Sequence, residues 1–88
     1  MEAFVLIQTE MGREPLAHEL LTIPGIVSAE DLSGAYDAIA RARSSSTRHL
    51  VEQVIGEIRK LRGITRVLPA PLIHASKQRF TGSQDQAA

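Results

Sequence analysis

Cysteine, tryptophan and asparagine are all missing from this 88-residue chain. The absence of Cys excludes disulfides, thiolate metal sites and a cysteine nucleophile. Aromatic residues make up only 3%, so any core drawn from the 43% apolar fraction is aliphatic. Charge of one sign is lacking too, because 10 Lys and Arg balance 10 Asp and Glu. A protein that works by neutralising phosphates needs a basic field, so direct nucleic-acid binding is not expected. No apolar run approaches the roughly 20 residues of a membrane helix. The chain opens straight into Ala3-Phe4-Val5-Leu6-Ile7, without a basic leader segment or a small-residue cleavage site. The expected location is therefore the cytoplasm, with no membrane partner.

What is present alternates between strand and helix patterns. Phe4-Val5-Leu6-Ile7, bounded by Gln8-Thr9-Glu10, has the pattern of a strand buried on both faces. Glu14 and Pro15 suit a helix's first turn, and Leu16, Ala17, Leu20 and Leu21 recur on one stripe. Pro24 and Gly25 end that helix. A second strand runs from Ile26 to Leu32, polar enough for a sheet edge. A tight turn at Ser33-Gly34 leads to a third, from Tyr36 to Arg43. There Ala38, Ala40 and Ala42 take one face and Arg41 and Arg43 the other. Beyond the Ser44-Ser45-Ser46-Thr47 loop, which supplies an N-cap, Leu50, Val51, Val54, Ile55, Ile58 and Leu61 mark the clearest helix, closed by Gly63. A fourth strand covers Ile64 to Ile73. Pro69 and Pro71 place it at an edge, because proline cannot donate to a ladder. Residues 1–73 thus form a single domain, and the polar, aperiodic residues 74–88 read as a frayed tail.

A weak repeat organises these pieces. Leu20-Leu21-Thr22-Ile23-Pro24-Gly25-Ile26 and Ile58-Arg59-Lys60-Leu61-Arg62-Gly63-Ile64 share a helix–Gly–Ile exit into a strand. Two strand–helix–strand halves joined by a hairpin, with right-handed crossovers, give strand order 4-1-3-2. The expected architecture is α+β, a ferredoxin-like βαββαβ sandwich with an antiparallel sheet and both helices on one face. Alternation along the first strand sends Phe4 and Leu6 one way and Val5 and Ile7 the other, while the helices cover only one sheet face. A single core of this size leaves only about 3–5 kcal/mol of net stability. A second copy is expected to cover the bare face, giving a homodimer.

Few residues point to chemistry. His18, His49 and His74 fall in different elements without ligand spacing, so neither a metal nor a cofactor is expected. The serine run lacks a Gly-x-Ser-x-Gly elbow and a general base, and reads as a loop. Arg41, Arg43 and Arg48 read as solvated or paired with carboxylates. The polar hairpin at Gly34, with Tyr36 and Asp37 behind it, is either a plain turn or a docking place for a small charged molecule.

Taken together, Phe4-Val5-Leu6-Ile7, Pro24-Gly25-Ile26-Val27, Gly34-Ala35-Tyr36-Asp37 and Gly63-Ile64-Thr65-Arg66 resemble the ligand-sensing domain of the Lrp/AsnC, or feast/famine, regulators. The resemblance covers roughly residues 3–73, and the chain looks like a stand-alone form of that module without its helix-turn-helix domain. It implies sheet-mediated dimers assembling into rings, with small effectors, often amino acids, bound between subunits. It also implies that the Gly-x-x-Asp turn, here Gly34, Tyr36 and Asp37, lines the effector site. Glu30 and Thr65 are neighbouring candidates. Where the family often places hydroxyl residues on the fourth strand, this chain has Val67, Leu68, Pro69 and Ala70.

An α-amino acid needs two receptors. Backbone N–H groups around Gly34 suit its carboxylate, and Asp37 or Glu30 suits its ammonium group. The plainer alternative is that Asp37 satisfies backbone donors at the hairpin and Tyr36 packs at an interface. The expected function is small-molecule sensing coupled to oligomerisation, and it is not enzymatic. A full-length Lrp/AsnC relative is a candidate partner. Two other readings stand beside it: a purely structural oligomerisation module, and a small dimeric α+β barrel enzyme.

Overall fold

In the computed structural model, which describes residues 1–11 and 13–72, the N-terminal apolar run becomes strand β1 (Glu2–Thr9). The expected tail, 74–88, lies outside the described residues. Strands β2 (Ile26–Asp31), β3 (Ala38–Arg43) and β4 (Ile64–Leu72) complete one antiparallel sheet in the order β2-β3-β1-β4. Counted from the other edge this is the order 4-1-3-2, and the architecture is the ferredoxin-like α+β sandwich. Its inner strands are the two with the strictest alternation. Ala3, Val5 and Ile7 of β1 and Ala38, Ala40 and Ala42 of β3 are all buried beneath the helices. Among the described residues β4 pairs only with β1, opposing Pro69 to Val5 and Pro71 to Ala3. The ladder runs through both prolines without a shift, so their ring nitrogens face away from β1.

The helix layer departs from the sequence expectation in two ways. Helix α1 is only Ala17–Leu20, because Leu16 (φ −126, ψ 3) is not yet helical and leaves Glu14 and Pro15 outside. Asp31, on the neighbouring β2, caps this short helix. Its Oδ1 accepts the N–H groups of Leu16 (2.8 Å) and Ala17 (3.0 Å), supplying partners that the helix start lacks. Helix α2 covers 47–59 and is α-helical at Thr47–His49, π-helical at Leu50–Ile55 and α-helical again at Gly56–Arg59. Ser46 is its N-cap, with Oγ accepting the His49 N–H at 3.0 Å. Leu50, Val54, Ile55 and Ile58 are buried, whereas Val51 is 50% exposed. The wider π turn takes Val51 off the apolar stripe.

The core between the layers is aliphatic. Val5, Ile7, Leu16, Leu20, Leu50, Val54 and Ile58 are its largest fully buried side chains, each contributing roughly 1.5–3 kcal/mol by burial. Arg13 closes one end. Its Nε donates to the Arg62 carbonyl past the end of α2 (3.0 Å), and its guanidinium pairs with Glu19 (2.9 Å). Among the described residues no helix is long and apolar enough to cross a membrane.

Among the described residues the other sheet face carries no helix. Across it run the rows Glu30–Ile39–Leu6–Leu68 and Ser28–Arg41–Phe4–Ala70, set by the strand registers. Phe4 is 38% and Leu68 41% exposed. In these two rows the apolar side chains of β1 and β4 lie together, and the charged ones are Glu30 on β2 and Arg41 on β3.

Candidate functional site

The connection between β2 and β3, residues 32–37, is held by hydrogen bonds that reach into β1. At its base the Leu32 N–H donates to the Asp37 carbonyl (2.8 Å), and the Asp37 N–H donates to the Ile7 carbonyl (2.9 Å). The Asp37 carboxylate accepts the Thr9 N–H through Oδ2 at 2.8 Å. Gln8 Nε2 donates to the Ala35 carbonyl at 2.7 Å. Side chain and backbone together fix a polar turn to the end of the sheet.

Gly34 stands at the exposed tip with φ +138, and a Cβ there would meet nothing within 4 Å. Its backbone conformation, and no neighbouring atom, calls for glycine. The backbone is therefore accessible to whatever approaches the turn. Tyr36 is half-buried beside it, as is Asp37. Among the described residues Asp37 Oδ1 accepts no hydrogen bond from the protein, so one carboxylate oxygen holds structure while the other faces none of these donors.

Glu30 lies on β2 opposite Ile39, exposed on the helix-free face. Thr65 is on β4, beyond β1 from the turn. Two strand spacings separate its strand from β3, about 10 Å. Its position is unusual, because Gln8 opposes Arg66 and Thr9 opposes Ile64, leaving Thr65 as the extra residue of a β-bulge. Such bulges re-aim a side chain at a sheet's end. The structure therefore gathers Gly34, Tyr36 and Asp37 in one turn, and sets Glu30 and Thr65 on flanking strands without contact to Asp37 among the hydrogen bonds described.

Residues the sequence reading missed hold this arrangement. Gln8 and Thr9 anchor the turn, and Asp31 ties β2 to α1. An amide and a hydroxyl residue at a strand's end give no local signal that they reach a turn 27 or 28 positions away. At the opposite end of the helix-free face, Glu2 receives Arg41 on Oε1 (2.6 Å) and Arg43 on Oε2 (3.0 Å). These hydrogen bonds, from Arg41 first and Arg43 second, hold the Glu2 carboxyl down at about 2.

The described residues thus form a ferredoxin-like sandwich with a polar turn anchored to one end of its sheet. Residues 2–80 match the Lrp/AsnC ligand binding domain, and the chain belongs to that family. No curated protein matches it. Among solved structures it is similar to FFRP-DM1, at 27% identity and a TM-score of 0.71 over 82% of this chain and 97% of that one. A protein from Thermus thermophilus aligns at 26% identity and a TM-score of 0.74, over 88% and 98% of the two chains. A transcriptional regulator from Neisseria meningitidis, solved in complex with L-Met, shares the fold at 16% identity and a TM-score of 0.68. This chain covers 51% of that regulator, and the alignment takes in 85% of this one.

Proposed function

We propose that the chain is a sensing and assembly module that binds an amino acid, or a metabolite of that kind, at a subunit interface lined by the Gly34–Asp37 turn. The observation that carries the reading is the division of labour in Asp37. Oδ2 is committed to the Thr9 N–H at 2.8 Å, while Oδ1 accepts no hydrogen bond from the described residues and belongs to the same turn as the open backbone of Gly34. An ammonium group suits the first receptor and a carboxylate the second. Glu30 and Thr65 flank the turn and supply further contacts once subunits meet. The fold neighbour solved with L-Met agrees in ligand class.

Assembly goes through the helix-free face in this reading. Phe4, Leu6, Ile39 and Leu68 form an apolar surface that a second copy covers, giving a homodimer, and dimers join into a ring around the effector sites. The module works in the cytoplasm and reaches transcription by joining a full-length Lrp/AsnC relative. An enzymatic role is disfavoured, because the space between helices and sheet that a barrel enzyme uses for substrate is filled by Val5, Ile7, Leu50, Val54 and Ile58. One observation favours the purely structural alternative: the Thr9 bond alone gives Asp37 a reason to be there.

A dye-reported melting panel against the twenty amino acids at millimolar concentration separates the two. A ligand at about 100 times its Kd adds roughly 2.7 kcal/mol per site, several degrees for a domain of this size. A selective shift that disappears in Asp37→Asn, which keeps an acceptor for Thr9, supports the sensor. A flat panel favours the structural module.

A further inference from the structure

The helix-free face is patterned by charge as well as by hydrocarbon. Glu30 of β2 is exposed on it, and among the described residues its carboxylate accepts no hydrogen bond and enters no ion pair. One row further along, Arg41 stands between Ser28 on β2 and Phe4 on β1, and in the next row Arg43 opposes Glu2. Arg41 donates through Nε (3.2 Å) and Nη2 (2.6 Å) to Glu2 Oε1, and Arg43 through Nε (3.3 Å) and Nη2 (3.0 Å) to Oε2. One carboxylate thus serves two guanidinium groups, and the cluster keeps one net positive charge. Arg41 Nη1 donates to none of the described residues, so both of its N–H groups are open to an acceptor outside the chain.

Glu30 and Arg41 are diagonal neighbours on β2 and β3, at roughly 7–8 Å, yet Arg41 turns to Glu2. Between them the face dips into a shallow hollow of about 180 Å3, bordered also by Phe4, Ser28 and Ile39. Ser28 leaves the hollow open, because a small side chain stands in the row where β3 and β1 carry Arg41 and Phe4. An anion lies at one side of the hollow and a cation at the other, within the face that a second copy covers in the proposed function.

A closed dimer of identical chains is two-fold symmetric, so residue i meets j as j meets i. Aligned sheets pack about 10 Å apart, with the two-fold axis lying between them. An axis along the strands sets β2 over the partner's β4 and β3 over its β1. Glu30 would then lie on Leu68, a carboxylate on hydrocarbon, with a desolvation cost that nothing offsets. An axis across the strands, between the row of Leu6 and the row of Phe4, sets each strand over its own copy with the two rows exchanged. Leu6 then meets Phe4 and Leu68 meets Ala70, apolar on apolar. Glu30 comes over the partner's Ser28, directly beside the partner's Arg41.

We propose that two copies of this chain pair about the axis across the strands, and that two reciprocal ion pairs, Glu30 with the partner's Arg41, fix that orientation. This pairing rests on the sheet-packed dimer proposed above and names the contacts that select its geometry. The incoming guanidinium fills the hollow beside Glu30 and brings Nη1 to the carboxylate, while Nε and Nη2 stay on Glu2. Each Arg41 thereby links Glu2 of its own chain to Glu30 of the other. A chain with a different charge layout on this face meets like charges there and is rejected.

The test is sedimentation equilibrium of charge-reversed variants, with folding of each checked by melting. Glu30→Arg and Arg41→Glu should each dimerise roughly a hundredfold more weakly, because like charges then face each other twice. An equimolar mixture of the two should recover the dimer, since every facing pair again joins opposite charges. The double variant Glu30→Arg/Arg41→Glu should recover it alone. Glu52→Arg, the same reversal on the solvent side of α2, should leave dimerisation unchanged. Arg41→Gln, which sets no second carboxylate beside Glu2, gives a further reading should Arg41→Glu fail to fold, with dimerisation about tenfold weaker. Weak dimerisation of both the mixture and the double variant, or a Glu30→Arg dimer as tight as that of the unsubstituted chain, overturns the ion pairs. In either case a dimer that Phe4→Lys still breaks keeps the sheet-packed reading, whereas a monomeric unsubstituted chain removes both.

Discussion

Thr9 and Asp37 meet at the end of the sheet, where the Thr9 backbone N–H donates to Asp37 Oδ2 at 2.8 Å. Regular pairing of β3 with β1 stops at Ala38 opposite Ile7. One residue further on, a carboxylate oxygen takes the role a strand carbonyl would have filled. The turn begins early because a side chain completes the ladder.

That relationship separates two substitutions at one position. Asp37→Ala leaves the Thr9 N–H without its partner and should cost about 1–2 kcal/mol, a Tm drop of several degrees in a domain of this size. Asp37→Asn retains an acceptor and should melt within about 0.5 kcal/mol of the unsubstituted chain. Thermal unfolding of the pair checks this without any ligand.

Asp31→Ala removes the oxygen that receives both Leu16 and Ala17. The loss of a helix cap costs about 0.5–2 kcal/mol, and with two donors stranded the upper half of that range is expected. Asp31→Asn should recover most of it. Hydrogen exchange at Ala17–Leu20 should accelerate in the alanine variant more than exchange in β1.

Two glycines of positive φ should differ in their tolerance of a methyl group. At Gly25 (φ +102) a Cβ meets Val54 Cγ2 at 2.9 Å and the Arg43 carbonyl oxygen at 3.3 Å, whereas at Gly34 it meets nothing. Gly34→Ala carries only backbone strain, on the order of 1–3 kcal/mol. Gly25→Ala adds a steric conflict with the core and should be the more damaging variant in urea titration.

The acid limb of stability carries a signature of Glu2. Its carboxyl titrates at about 2 when folded, against an ordinary 4.5. A depressed folded value means that the contribution is complete above pH 4.5 and is lost as pH falls toward 2. Glu2→Gln should therefore be less stable than the unsubstituted chain at neutral pH. The difference should close across that window, as pH-dependent denaturation would reveal.

Phe4→Lys places a charge in the middle of the helix-free face without touching the core. In the proposed dimer this charge is buried against the partner, so light scattering at micromolar concentration should give a monomer for the variant and a dimer for the unsubstituted chain. A monomeric mass for both would remove the sheet-packed dimer from the proposed function.

Much of the fold was legible because it rests on local rules. Alternation in Ala38–Ala42 separated the alanine face from the arginine face, Pro69 and Pro71 marked the edge, and the paired helix–Gly–Ile exits set the order of the halves. The turn at Gly34 was legible for the same reason. Asp31 was not: on β2 it reads as one more polar residue of an edge strand, and its partners on Leu16 and Ala17 lie 15 and 14 positions back. The early residues of α1 were misread since Glu14 and Pro15 carry helix-start chemistry, while the cap that sets the start comes from another element. The π turn of α2 was hidden because Val51 continues the apolar stripe in sequence and leaves it in space. The bulge that frees Thr65 depends on register between distant strands, which no local pattern encodes.

The prolines of β4 also decide how the sheet can grow. With both ring nitrogens turned outward, positions 69 and 71 of that border have nothing to donate to an incoming strand, whereas the β2 border has no proline. Strand-by-strand addition needs two competent borders on every unit to propagate. A unit with one blunted border can pair its β2 edge once, with another β2 edge, and then stop. The same two residues that mark an edge in the sequence therefore blunt one border of the sheet against strand-by-strand addition.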